Sequence, residues 1–222
     1  INPMIAFADF HATGEKKLLN NTVLPAGQSA QQDLTQALDN LAGHANVGPF
    51  ISKQLIQRLV TSNPSSAYVA RVSRVFNDNG QGVKGDMAAV VSAILLDDEA
   101  RYSRAYQPAH FGKLREPLLK TTHLWRALAA DSSSGRIRTV TVEDSHGQAP
   151  QQAPSVFNFF RPDYSPNGDL QQQGLAVPEA QLLTDDLLLE TQNLFHSAIN
   201  LSIKEQVSEP DERHMLLAFS DL

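Results

Sequence analysis

Two residues near the start of the chain, Asp9 and His11, are of types that bind metal ions or transfer protons. The weak alternation of apolar residues from Pro3 to Phe10 predicts an extended strand, which would place both side chains on one side of the backbone. Such a pair could begin a hard-metal or hydrolytic site that His44 or a remote carboxylate completes. One pair of ligand types falls short of a site, and the alternative is that the imidazole closes a local turn. Asp9 and His11 are therefore candidate catalytic residues, and no metal ion or other cofactor is predicted.

An aromatic stretch with the sequence VFNFFRPDYSP suggests a different chemistry. Its rings could stack on sugar rings, while neighbouring amide and charged side chains supply hydrogen bonds. The alternative is a wedge that anchors an irregular loop to a helical core, because aromatic side chains bury large areas. The candidate ligand-binding residues are Phe157, Asn158, Phe160, Arg161 and Tyr164.

Other polar groupings are better explained by structure than by chemistry. The segment from Asn77 to Gly82 resembles a calcium loop, but with Gly80 at the sixth position the first position falls on Val75, which has no side-chain oxygen. The segment therefore predicts an interhelical turn. The carboxylates of Asp97-Asp98-Glu99 predict a solvated helix end with local ion pairs. The sequence contains no phosphate loop, GxGxxG, GxSxG or HExxH motif.

The composition of the chain argues against several kinds of partner and of site. The 222 residues carry a net charge of -6 with scattered basic residues, which argues against a nucleic-acid partner. Cysteine is absent, which excludes disulfides and cysteine nucleophiles. No apolar run approaches the roughly 20 residues that span a bilayer. The chain starts at Ile1 and stops at Leu222 after an apolar stretch, so we expect both ends to be cut and any export signal to lie in a missing part.

Hydrophobic periodicity predicts four short amphipathic helices between Gln31 and Leu96. Ser29 and Gln32 form a capping box for the first helix. Pro49 opens the second helix, the third runs from about Ser66 to Phe76, and Asp86 caps the fourth. The apolar stripe of the first helix consists of Leu34, Ala37, Leu38, Leu41 and Ala42.

Further along the chain, Pro117 opens another helix, and a long helix starts between Pro178 and Asp185 and runs to about Ile203. The alternation from Ile137 to Val142 predicts a small strand or β-hairpin near residues 136–142. The predicted fold is thus mainly α, an irregular multi-helix array with one small β element. Its predicted parts are a helical core at 1–130, an insertion or β arm at 131–152, and an aromatic loop with a long helix on the same core at 153–222.

Five strings of the sequence also resemble a known family. They are HATGEKKLL at 11–19, GPFISKQLIQRLVTSNPSSAYVARVSRVF at 48–76, GDMAAVVSAILLDDEAR at 85–101, GKLREPLLKTTHLWRAL at 112–128 and APSVFNFFRPDYSP at 153–166. In this order they are similar to the bacterial family of the domain of unknown function numbered eighteen hundred. That family often has an aspartate after the histidine of the first string, where this chain has Ala12, and the difference argues against catalysis by His11.

The resemblance implies a bacterial, exported protein that is periplasmic or secreted, with a further helical region upstream of Ile1. It also implies a companion, a sulfatase-like protein of a second family of unknown function, and it implies no established activity. Three functions follow as hypotheses: a non-catalytic helical scaffold or partner-binding module, part of a hydrolase whose site is shared with a missing N-terminal half, or a glycan-binding module that uses the segment from Phe157 to Tyr164.

Overall fold

The computed structural model describes residues 5–102, 110–131 and 146–204. The chain forms two compact units, one of Ile1–Leu59 with Pro64–Tyr102 and one of Val60–Asn63 with Ser103–Leu222. In the described residues the fold is mainly α with one small antiparallel hairpin, which confirms the predicted fold class. That hairpin lies near the N-terminus, whereas the strand predicted at 136–142 lies outside the described residues. The predicted division at residues 130 and 152 stays a prediction.

The first unit begins with a hairpin and continues as a series of helices. In the hairpin, Lys16 pairs with Leu24 and Lys17 with Val23. The elements are β1 (Lys16–Lys17), β2 (Val23–Leu24), α1 (Ala30–Gly43), α2 (Val47–Leu59), α3 (Ser66–Asn77), α4 (Met87–Leu96) and the single turn α5 (Asp98–Arg101). Short 3-10 turns at Ala8–Phe10 and Leu19–Asn21 flank the first strand.

Side-chain caps explain where these helices begin. Ser29 and Gln32 form the predicted capping box at α1. Ser65 accepts the amide hydrogen of Tyr68 at α3, and Asp86 accepts two amide hydrogens at α4. Each cap satisfies amides that have no partner within the helix. The four predicted helices are therefore confirmed, with ends within two residues of those expected.

The core of the first unit lies between α2, α3 and α4. The apolar side chains that are fully or almost fully buried there are Ile56, Tyr68, Val72, Phe76, Val90 and Ile94. Gly48 lets α2 approach α3, since a Cβ at this position would lie 2.8 Å from the hydroxyl of Ser73. The buried phenol of Tyr68 donates a hydrogen bond of 2.6 Å to the carbonyl oxygen of Ile94, which ties α3 to α4.

The second unit contains fewer helices and more irregular backbone. Its described elements are α6 (Pro117–Ala127), the short turn α7 (Asp169–Gln172), a 3-10 segment at Pro178–Leu182 and the long helix α8 (Asp185–Lys204). Helix α6 starts at Pro117, as predicted, because proline suits the first helical turn. The sequence also predicted the long final helix, and α8 confirms it.

Hydrogen bonds between side chains and backbone hold the irregular segments of the second unit together. Asn63 exchanges two hydrogen bonds of 2.9 Å with the backbone of Ala176. The hydroxyl of Thr61 likewise bonds both the carbonyl and the amide of Gly112. These pairs satisfy backbone groups that belong to no helix or strand. The segment 60–63 is consequently part of the second unit, although its sequence neighbours belong to the first.

The strand predicted from Pro3 to Phe10 is wrong in the part that the structure describes. Residues Ala8–Phe10 form a 3-10 turn, in which the amide of His11 donates to the carbonyl of Ala8 at 3.1 Å. A strand needs a partner for its backbone groups, and these residues satisfy theirs locally instead. Asp9 and His11 therefore do not share one side of an extended strand.

Candidate functional site

The side chain of His11 contacts a carboxylate that the sequence analysis did not single out. Its Nε2 lies 2.8 Å from Oδ2 of Asp33, and the Nζ of Lys16 lies 2.6 Å from the same oxygen. Asp33 is the one buried residue of α1. The cluster therefore attaches the N-terminal hairpin and the turn before it to the first turn of α1.

This cluster is arranged more for attachment than for catalysis. The hydrogen bond from Lys16, helped by His11 and opposed by burial, holds the pKa of Asp33 below its usual value. An imidazole oriented by a carboxylate is one half of a general-base site, but here a lysine neutralises the same oxygen. Asp9 is exposed. In the described ranges no group of three or more histidine, aspartate or glutamate side chains could hold a metal ion.

Of the three carboxylates after α4, Asp98 is exposed, as a solvated helix end requires, whereas Asp97 and Glu99 belong to a largely buried network that the sequence analysis did not predict. Arg71 on α3 binds Asp97 through two hydrogen bonds of 2.7 and 2.8 Å. Glu99 is buried and accepts hydrogen bonds from the amide and the hydroxyl of Ser65. Arg71 and Asp97 are 26 residues apart in the sequence. They meet because α3 and α4 pack side by side.

The pKa values of Asp97 and Tyr68 depart from their ordinary values. Burial alone would raise the pKa of Asp97, but hydrogen bonds from Arg71 and from the amide of Glu99 outweigh it and lower the pKa. Burial raises the pKa of Tyr68, and the charges of Asp97 and Glu99 add to this effect. These groups stay in one protonation state around neutral pH, which suits a structural tie between α3, α4 and α5 better than proton transfer.

The aromatic stretch is divided between buried and exposed rings. Phe160 is only 2 % exposed, whereas Phe157 is 40 % exposed and Tyr164 is half-buried. The guanidinium of Arg161 binds the exposed carboxylate of Asp163 through two hydrogen bonds, which raises the pKa of the arginine. The buried ring of Phe160 has the position expected of a wedge and is not available as a flat stacking surface. The proposed sugar contacts of the other rings stay a prediction.

A surface that sequence reasoning missed lies along α1. The leucines of its apolar stripe are half-exposed, with Leu34 at 51 %, Leu38 at 55 % and Leu41 at 50 %. Beside them lies a groove of about 530 Å³, which we call the α1 groove. Its lining residues are mostly apolar: Leu19, Leu38, Leu41, Ala42, His44, Asn46, Val47 and Phe50. Periodicity could identify the stripe but not its exposure.

The second unit buries polar pairs that the sequence analysis also missed. The ring of His146 is fully buried, and its Nε2 lies 2.9 Å from the hydroxyl of Thr121. Lys113 forms an ion pair with Glu179, which is 1 % exposed. Buried charges persist only when paired, so this contact fixes the 3-10 segment that carries Glu179. No short sequence motif marks these pairs, because their members are 25 and 66 residues apart.

Taken together, these features define a mainly α-helical protein with buried structural ion pairs and an apolar groove beside α1. The family model described as "Protein of unknown function (DUF1800)" matches residues 2–221, which is nearly the whole chain. The chain belongs to this family, as the five sequence strings predicted.

No curated protein and no solved structure matches the chain. Among the described residues, no helix combines the length and the apolar character that crossing a membrane requires.

Proposed function

We propose that this chain is a helical partner-binding module of an exported bacterial protein, and that the α1 groove binds an amphipathic helix of the partner. The observation that carries the proposal is the half-exposed row of Leu34, Leu38 and Leu41. These residues recur at the spacing of one helix face and therefore form a continuous apolar row, and apolar grooves commonly bind the apolar face of an amphipathic helix. Contiguous apolar surface of this kind is typical of protein interaction sites.

The shape of the α1 groove supports a helix as its occupant. Phe50 and Val47 at the start of α2 form one wall, and Leu38 and Leu41 of α1 form the other. Among the described lining residues, His44 and Asn46 are the polar ones, and a hydrogen bond of 3.1 Å runs from the amide of Asn46 to Nδ1 of His44. An apolar helix face would therefore meet a surface that leaves few polar groups to desolvate.

The export and the identity of the partner rest on the family resemblance alone. Within this proposal the protein is periplasmic or secreted, and the sulfatase-like companion is the first partner to test. Fractionation of the bacterium that produces the protein tests the location. Recovery of the protein in the cytoplasm would contradict export.

The test of the groove is a binding measurement between the chain and the purified sulfatase-like companion. We expect Leu38→Glu to weaken binding by at least about tenfold, because a carboxylate would be desolvated in an apolar contact. Isothermal titration calorimetry gives the dissociation constants. Circular dichroism should show an unchanged helix content, since the Leu38 side chain is more than half exposed.

The matched control is Leu96→Glu, which places the same charge at a leucine of the first unit that is 66 % exposed and does not line the groove. This variant should bind as the parent chain does. Equal weakening by both variants would contradict a contact at α1. If the chain instead forms a dimer that Leu38→Glu dissociates, the occupant is a second copy and the partner proposal is wrong. An absence of binding to the companion would also overturn it.

A further inference from the structure

A cavity of about 590 Å³ lies in the second unit, between the start of α6 and the loop that follows His146. We call it the Glu116 cavity, and its walls include Glu116, Leu118, Gln148, Pro150, Asn158 and Phe159. Its volume falls within the range of small-molecule sites in proteins. The mixture of an aromatic ring, aliphatic walls and a few polar groups is also typical of such sites.

Gln148 lines this cavity with a side chain whose amide oxygen lacks a hydrogen-bond partner among the described residues. Its side chain is 4 % exposed, and its Nε2 donates a hydrogen bond to Oε2 of Glu116. Its amide oxygen Oε1 is buried, with no hydrogen-bond partner among the described residues. Because buried amide oxygens are nearly always hydrogen-bonded, this oxygen indicates a missing donor. A ligand in the cavity supplies that donor if the Gln148 side chain, which lines the cavity, rotates so that the oxygen faces the ligand.

Glu116 also indicates a ligand that donates hydrogen bonds. It occupies the N-cap position of α6, but its carboxylate makes no capping hydrogen bond with that helix. The carboxylate instead faces Gln148 and the cavity. Among the described residues that line the cavity, Glu116 is the charged one, so the cavity presents acceptors and a negative charge.

The loop side of the cavity is held in an uncommon backbone conformation. Gln151 and Asn158 both line the cavity and have φ values of 64° and 71°. Residues other than glycine rarely adopt this region, and such residues are enriched at ligand sites. Asn158 is one of the candidate ligand-binding residues from the sequence, and it lines the same cavity as Glu116 and Gln148.

We propose that the Glu116 cavity binds a small organic cation, namely a primary ammonium group on an apolar ring or chain. Glu116 accepts a charge-assisted hydrogen bond from the ammonium, and Oε1 of Gln148 accepts a second one. Phe159 and the aliphatic walls contact the apolar body, and the ring also attracts the positive charge. This site is independent of the α1 groove, since it lies within the second unit.

The test uses three probes of nearly equal shape: benzylamine, benzyl alcohol and benzoate. Titration of the whole chain, followed by protein-detected NMR, should give saturable binding of benzylamine. Benzyl alcohol should bind about tenfold more weakly, because it lacks the charge, and benzoate more weakly still. Glu116→Gln should remove the preference for benzylamine over benzyl alcohol. Glu190→Gln, which changes an exposed carboxylate of α8 that does not line the cavity, should preserve it.

A second variant keeps the test decisive if Glu116→Gln does not fold. Ala153 lines the cavity and is exposed, so Ala153→Phe fills the space while Glu116 and Gln148 stay intact, and it should abolish binding of all three probes. Equal binding of benzylamine and benzoate would overturn the proposal, and so would the absence of saturable binding up to about 10 mM. Tighter binding of a methyl glucoside than of benzylamine would overturn it in favour of a sugar site.

Discussion

Helix α1 and the group α2–α4 differ in how much of their apolar surface is buried within the first unit. Helices α2, α3 and α4 supply the core, where Ile56, Val72 and Ile94 are fully buried, although Phe50 and Leu59 at the ends of α2 are about half exposed. The leucines of α1 remain half-exposed. The comparison shows that hydrophobic periodicity predicts a helix with one apolar face. It does not predict whether another part of the protein buries that face.

The orientation of α1 follows from its polar contacts. Asp33 is its buried residue, and Lys16 and His11 hold that carboxylate against the N-terminal hairpin. With 3.6 residues per turn, the leucine stripe lies about 100° around the helix from Asp33. The face with the carboxylate thus contacts strand β1 and the turn before it, whereas Leu38 and Leu41 border the α1 groove. In α3, by contrast, the buried Tyr68 and Val72 face the core while Arg71 reaches Asp97.

The largest expected difference between the two regions is in stability. Ile94→Ala should lower the free energy of unfolding by about 2–5 kcal/mol, because it removes buried methylene groups and leaves a cavity among α2–α4. Leu38→Ala should change it by less than about 0.5 kcal/mol, since that leucine is exposed and alanine favours the helix.

Urea unfolding followed by far-UV circular dichroism measures both variants. This signal is preferable to fluorescence, because the single tryptophan, Trp125, lies in the second unit. A loss at Leu38→Ala as large as that at Ile94→Ala would show that the α1 stripe is covered in solution and would remove the contrast.

Removal of the helix caps is expected to lower the free energy of unfolding by a smaller amount. Ser65→Ala removes the cap of α3 and one of the hydrogen bonds to Glu99, and should cost about 1–2 kcal/mol of unfolding free energy. Ser29→Ala removes the cap of α1 and should mainly increase fraying of that helix. Amide hydrogen exchange distinguishes the two results. Faster exchange in α2–α4 after Ser29→Ala would contradict a peripheral α1.

The smallest expected change in stability is the one caused by lowering the pH. The pKa values of Asp33 and Asp97 are lower in the folded chain than the ordinary value of 3.8. Each group therefore contributes stability that is present above that value and is lost as the pH falls through the folded pKa. Urea midpoints measured from about pH 6 to about pH 3 should fall in the parent chain. They should fall less steeply in Asp33→Asn and in Asp97→Asn, and an unchanged slope in both variants would disprove this account.

Much of the helical framework could be predicted, and little of the candidate sites. Helix starts can be predicted from the sequence because a cap needs only residues within one turn, as at Ser29, Ser65-Ser66 and Asp86. By contrast, the contact of Asp33 with Lys16 and the contact of Gln148 with Glu116 join residues 17 and 32 positions apart. Such pairs form only when two elements pack together, so no local pattern reveals them. The strand expected before His11 was wrong in its described part for a related reason, since Ala8–Phe10 make their backbone hydrogen bonds within a 3-10 turn instead of with a partner strand.

The sequence by itself determined the mainly α class and the ends of the principal helices, because caps, prolines and the 3.6-residue period act within one or two turns of the chain. The family followed separately, from the resemblance of five sequence strings. The tertiary structure alone decided that the stripe of α1 lies at the surface, that Arg71 pairs with Asp97, and that Glu116, Gln148 and Asn158 meet at one cavity. Burial and long-range contacts arise only when the elements pack together. The contacts that each helix makes in that packing determine which of its faces is turned to the core.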